Sequence, residues 1–154
     1  MNPFSAYLLK QSDTKAQWGM MDIHNMVEHI GLTLQMSMGE RPVELQVLEE
    51  KAIKLKRIMI DSQRPMPKGV KTVMLPNDKT LPYINPSFTE AIDFVEDNLN
   101  RFKTKLQTQP EESHLHPTMG LLTMNEWNIL HRKHFVHHFE QFGLDLGIAE
   151  EVFA

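Results

Sequence analysis

The chain contains no cysteine. That single absence excludes disulfide staples, thiolate metal sites and a cysteine nucleophile. No apolar run approaches the ~20 residues that a bilayer-spanning helix requires, so no membrane crossing is expected. The first residues, MNPFSAYLLKQSD, have neither a basic leader nor a long apolar stretch, so they do not read as a secretory signal. A cytoplasmic location is the expectation. Repeats, low-complexity tracts and glycine/serine linkers are also missing, which leaves residues 1–154 as one domain. With 41% hydrophobic residues and a net charge of -4, the composition is that of a folded chain. Neither a G-x-G-x-x-G, a Walker motif nor a G-x-S-x-G occurs, so nucleotide binding and serine hydrolysis have no support. Inward-facing Glu-x-x-His pairs, the mark of di-iron bundles, are absent too.

What is abundant is histidine, eight residues, and methionine, eleven. Four of the histidines fall between His131 and His138. Histidine ligates metals and exchanges protons near neutral pH, so the framework that carries this cluster decides its meaning.

Four segments carry a helical period. From Asp22 to Met38, the residues Ile23, Met26, Val27, Ile30 and Leu34 form one apolar face, closed by Gly39. From Pro42 to Asp61, the residues Leu45, Leu48, Ala52, Leu55 and Met59 make a narrower stripe, with Pro42 suited to a first helical turn. Ser87 and Glu90 match a capping box that opens a third helix, along which Phe88, Ile92, Val95, Leu99, Phe102 and Leu106 repeat until Pro110. A second box, Thr123 to Glu126, opens the fourth helix, which runs to Gly143 and carries Trp127, Leu130, Phe135, Val136, Phe139 and Phe142. Between the second and third helices, Pro65, Pro67, Pro76 and Pro82 forbid a continuous helix over 64–85, with a short extended piece expected at Val70–Leu75. The fold class this predicts is all-α: an antiparallel four-helix bundle with a long proline-rich loop between its second and third helices. Residues before Trp18 read either as a turn or two of helix or as a strap.

On the fourth helix, His134 and His138 are four residues apart, so their rings share a face. Such a pair can chelate one divalent metal, and a third ligand must come from another helix. His29, at the edge of the first helix's apolar stripe, is the best candidate. The competing reading is a helix with ordinary histidines, each satisfied by a backbone carbonyl.

His29 within Met26-Val-Glu-His-Ile30, Trp127 within Glu-Trp-Asn, and His134-x3-His138-x2-Gln141 together resemble the DinB/YfiT-like superfamily. Within it, His116-Pro-Thr-Met-Gly120, Lys133-His134, the doubled His137-His138, Gln141-Phe-Gly143 and Gln17-Trp-Gly-Met-Met21 resemble an uncharacterised bacterial subgroup. The resemblance covers about residues 17–143. It implies a four-helix bundle with a three-histidine site for Zn²⁺, Ni²⁺ or a similar ion, with His29, His134 and His138 as ligands and water in the open positions. Members include thiol S-transferases, a maleylpyruvate isomerase and metal-dependent hydrolases, so a metal-dependent transferase or hydrolase acting on a small molecule is implied. Members usually have a full helix before the one with the first histidine. Here either the Pro42–Asp61 helix takes its place or a second subunit supplies it.

His116, in the turn before the last helix, either joins the metal pocket as a fourth ligand or acid/base, or bonds its own turn. Gln141 either orients a ligand imidazole or is an exposed amide, and Trp127 shares its helix face. Glu28 and Glu140 point about 100° away from the ligand histidines and are assigned no role. His24, His114, His131 and His137 are expected on the surface. The methionines Met20, Met21, Met26, Met36 and Met38 read as adaptable core filling. Lys51, Lys54, Lys56, Arg57, Arg64, Lys68 and Lys71 form a basic stretch in an acidic protein, which reads as a solvated face and not as a nucleic-acid surface. An alternative to an enzyme is a non-enzymatic helical module that dimerises through its first two helices and carries a structural or vestigial metal. A homodimer fits either function.

Overall fold

A computed structural model describes residues 1–67 and 81–154. The expected extended piece at Val70–Leu75, together with Lys68, Lys71 and Pro76, lies outside the described residues. The protein is mostly helical. Among the described residues six α-helices occur in chain order: α1 Pro3–Leu9, α2 Ile23–Ser37, α3 Glu49–Lys56, α4 Phe88–Thr108, α5 Met124–Gln141 and α6 Leu146–Glu151. A π-helical turn, Arg57–Asp61, continues α3. An antiparallel hairpin, β1 Ser113–His116 and β2 Gly120–Thr123, precedes α5, so the class is not purely α.

α2 lies at the centre, packed against α4, α5 and β1. Its start is fixed by Asp22, whose side chain accepts from the Asn25 backbone N–H while Asn25 reaches back to the Asp22 N–H. Ile23, Met26, Val27, Ile30 and Leu34 are all buried, as their period requires. Four of the five methionines around this helix, Met21, Met26, Met36 and Met38, are in the core, whereas Met20 is 61% exposed. On α4, Ile92, Val95, Leu99 and Phe102 are buried along the expected stripe. α5 opens with the Thr123–Glu126 box, both reciprocal bonds formed.

The expected helix from Pro42 begins seven residues late. The Gln46 N–H donates to the carbonyl of Pro117 at 2.8 Å, which ties residues 42–48 to the hairpin turn instead of to a first helical turn. Leu45 and Leu48 are consequently exposed, and only Ala52 and Met59 of that stripe are buried. Glu49 and Glu50 then open α3 and Lys54 and Lys56 close it, matching the helix dipole. Lys133 Nζ donates to the carbonyls of Met59 (2.6 Å) and Ser62 (2.8 Å), satisfying the end of the π turn.

The first residues are a helix. Asn2 caps α1 through the Ser5 N–H, and Pro3 occupies the first turn. Phe4 stacks on Phe135 (5.5 Å) and Phe139 (5.7 Å), and Leu8 is fully buried. α6, with Ala149 buried, lies against α1 and α5. No helix among the described residues is long and apolar enough to cross a membrane.

Candidate metal centre

α2 contributes His29, and α5 contributes His134 and His138 one turn apart. Their Nε2 atoms converge: His29 to His134 is 2.9 Å and His134 to His138 is 2.9 Å. One nitrogen from each of the three lies within 4.8 Å of the others, close enough to hold a single metal ion. The rings stand nearly perpendicular, with interplanar angles of 80°, 82° and 72°. His134 and His138 are buried and His29 is half-buried.

Burial holds all three imidazoles neutral. It lowers the His29 pKa to about 4, with His137 adding to the effect. His134 is pushed well below the usual range by burial and by the neighbouring His138 and His29. His138 is pushed down by burial and by His29, against an opposing hydrogen bond from Gln141. Neutral imidazole is the ligating form.

Gln141 fixes which nitrogen of His138 carries the proton. Its Nε2 donates to the Trp18 carbonyl at 2.9 Å, and a carbonyl can only accept. Its Oε1 therefore faces His138 Nδ1, at 2.8 Å, and that nitrogen must be the donor. His138 Nε2 is left with a lone pair directed at the other two rings. The two 2.9 Å contacts then both fall on His134 Nε2, and no placement of protons gives each its own N–H···N bond. Three convergent nitrogens with too few protons between them suit a cation. A tetrahedral ion with Zn–N bonds of ~2.0–2.1 Å would set nitrogens roughly 3.3 Å apart, so the two 2.9 Å contacts would lengthen by a few tenths of an ångström to seat one.

The other expected residues fall elsewhere. His116 Nδ1 accepts from the Thr118 backbone N–H at 3.1 Å, so it bonds its own turn, and burial lowers its pKa to about 4. Its ring lies 5.4 Å from Trp127, whose Nε1 donates to the carbonyl of His114 at 3.2 Å. Trp127 is fully buried and pins the hairpin to α5.

Two histidines expected on the surface are buried. His131 is completely enclosed between Phe102 (4.7 Å), Trp127 (5.6 Å) and Phe153 (6.1 Å), because α6 and the chain beyond it cover that side of α5. Neither of its ring nitrogens has a hydrogen-bond partner among the described residues, and burial, with His116, lowers its pKa to about 3. His24 is stacked face to face on Tyr83 at 3.8 Å. His114 and His137 are partly exposed.

Glu28 has a role that its position beside His29 conceals. It is buried at 3% exposure and accepts from the backbone N–H of Ile84 (2.9 Å) and from Asn85 Nδ2 (2.8 Å), with His24 Nε2 at 3.5 Å. Tyr83 also donates to Asp22, and Asn25 Nδ2 to the Leu81 carbonyl at 2.9 Å. The segment leading into α4 is thus latched to the first half of α2, the same stretch that carries His29. The sequence carries no signal for this role: α2 shows one apolar face with polar residues around it, and only the fold buries nearly the whole helix, so that the Glu28 carboxylate must find buried donors.

Comparison with protein-family models, with curated proteins and with solved structures gives no match.

Proposed function

We propose that this protein is a metal-binding helical bundle of the DinB-like type, in which His29, His134 and His138 hold one divalent cation, Zn²⁺ or Ni²⁺. The observation that carries this reading is the convergence of three neutral Nε2 atoms, with the His138 tautomer set by Gln141 so that its lone pair faces inward. Three nitrogen ligands leave open coordination positions, as in catalytic rather than closed structural sites. When bound, the ion supplies Lewis-acid activation, lowering the pKa of a water or a small thiol held beside it. A chain without cysteine must receive any such thiol from outside. The reaction class is a metal-dependent transfer, of the thiol S-transferase kind, or a hydrolysis, on a small-molecule substrate.

The test is elemental analysis of protein purified without an affinity tag, before and after reconstitution. About one equivalent of a transition metal is expected; less than about 0.2 equivalents after reconstitution overturns the reading.

A second reading, a non-enzymatic module that dimerises, rests on apolar residues left exposed before and on α3: Leu45 is 38%, Leu48 80% and Ile53 49% exposed. Apolar side chains exposed at the start of this helix suit contact with a second copy of the chain. Sedimentation at micromolar concentration separates the cases, since a monomer removes the dimer.

A further inference from the structure

Residues 17–19 lie outside every helix, yet each is tied to the end of α5. The Gln17 backbone N–H donates to the Gln141 carbonyl at 2.8 Å. The Trp18 carbonyl accepts from the Gln141 side chain at 2.9 Å. Gly19 has φ +82°, and a Cβ there would stand 2.8 Å from Gln141 Nε2. Gly143, at φ +65°, has the Gln17 amide so close that a Cβ would meet it at 2.5 Å. Trp18 also sets its ring edge-on to His137, at 6.2 Å. Three consecutive residues, the last a glycine without room for a side chain, and a second such glycine at 143 therefore build one contact, and at its middle is the buried Gln141 amide.

A glutamine amide has two ends that swap by a rotation of the side chain. With Oε1 toward His138, Nδ1 is the protonated nitrogen and Nε2 is free for a ligand. With Nε2 toward His138, Nδ1 must accept, the proton moves to the other ring nitrogen, and the lone pair needed at the centre is lost. The carbonyl of Trp18, which can only accept, distinguishes the two ends. We infer that the Gln17–Gly19 strap is a positioning element for the three-histidine centre: it selects the amide orientation of Gln141, and through it the His138 tautomer that can ligate. Gly19 is its critical residue, because any side chain there pushes on the amide and strains the backbone. The inference rests on the proposed metal centre for its affinity consequence, but the tautomer it assigns belongs to the metal-free protein as well.

Two measurements on the purified full chain test it. The first is the tautomer of His138 in metal-free protein, read from long-range ¹H–¹⁵N correlations of the imidazole. The second is Zn²⁺ affinity by competition with a chromophoric chelator. Wild type is expected in the Nδ1–H form. Gly19→Ala should populate the Nε2–H form and weaken Zn²⁺ about 10- to 100-fold, the range for losing a group that orients a ligand. Adding Gln141→Glu to Gly19→Ala should restore both readouts, because a carboxylate has no donor end to present wrongly. If Gly19→Ala does not fold, Gln17→Gly, which loosens the strap without adding an atom, takes its place with the same two expectations. An Nε2–H tautomer in wild type, or an unchanged tautomer in the strap variant, overturns the strap. A correct tautomer response in a protein that binds no Zn²⁺ sinks the metal reading and leaves the strap standing.

Discussion

His29 and His134, 105 positions apart in the chain, bring their Nε2 atoms to 2.9 Å. That contact joins α2 to α5 at the point where His138 completes a cluster, whereas His131, one turn before His134 on the same helix, is packed among Phe102, Trp127 and Phe153. Alanine variants should therefore divide cleanly. His29→Ala, His134→Ala and His138→Ala should each abolish stoichiometric Zn²⁺ binding, while His131→Ala should keep it and lose about 2–4 kcal/mol of stability to a core cavity. Metal content by mass spectrometry and denaturant titration of the same four variants check this. Retained metal in the His138 variant would contradict the assignment.

The parts of this architecture legible in the sequence are those set by local rules. Asp22, Ser87 and Thr123 mark the starts of α2, α4 and α5, and Ile92, Val95, Leu99 and Phe102 point inward as their spacing requires. The i, i+4 pair His134 and His138 and the edge position of His29 on α2 mark these residues as candidates but leave ordinary histidines as a rival reading; it is the resemblance that implies the three as one ligand set, and the fold brings them together. What escaped depends on contacts between distant residues. α1 is seven residues long, too short for a period to register, and is held by Phe4 against Phe135 and Phe139. The late start of α3 reflects the Gln46–Pro117 bond, which outweighs a stripe that would otherwise favour helix. The hairpin pairs four residues with four across the turn 117–119, and Gly120, opposite His116 where the second strand begins, holds φ +77°, a left-handed conformation that glycine adopts without strain. His131 reads as polar, and only the fold shows Phe153 closing over it.

That burial makes stability depend on pH. His131 and His116 are neutral in the folded protein down to about 3 and about 4, whereas an unfolded histidine protonates near 6.5. Below about 6.5 the unfolded chain therefore binds more protons than the folded one, and unfolding becomes easier as pH falls. Above that value neither state is protonated and the effect vanishes. Each such group should remove up to about 1.4 kcal/mol per pH unit between roughly 6.5 and its folded pKa. Chemical denaturation of metal-free protein at pH 7, 6 and 5 should show a progressive loss. A flat profile would mean that these rings are hydrated in solution.

His131→Leu isolates one contribution. Both ring nitrogens are buried without partners among the described residues, and an unsatisfied buried polar group costs about 1–3 kcal/mol. A leucine of similar volume has nothing to leave unpaired. The variant should be as stable as wild type or more so at pH 7, and its advantage should widen at pH 5. Equal loss at both pH values would indicate that the aromatic cage needs the flat imidazole for packing.

The Glu28 latch predicts a local effect. Its carboxylate accepts from the Ile84 and Asn85 backbone and from Asn85 Nδ2, all within the segment that delivers the chain to Ser87 and α4. Hydrogen bonds to a charged group are worth about 1.5–3 kcal/mol each, so Glu28→Ala should destabilise by a few kcal/mol and speed hydrogen exchange at Ile84 and Asn85 before the helix cores respond. Exchange confined to global unfolding would show that the segment is held by other contacts.

Gly31 sets the spacing of α2 against α4. A Cβ there would lie 2.5 Å from Phe94 Cε1 and 3.2 Å from Val95 Cγ2. Alanine gains about 1 kcal/mol of helix propensity over glycine in a helix interior. Overpacking a tight contact costs about 1–3 kcal/mol. Phe94 is only partly buried and can swing its ring outward, but Val95 is wholly enclosed on the inner face of α4 and has nowhere to go. The overpacking should win by about 1 kcal/mol, lowering Tm by roughly 2–4 °C for a chain of this length. A higher Tm for Gly31→Ala would mean that the two helices part at that point with little resistance, and that the glycine is there for a reason other than their close approach.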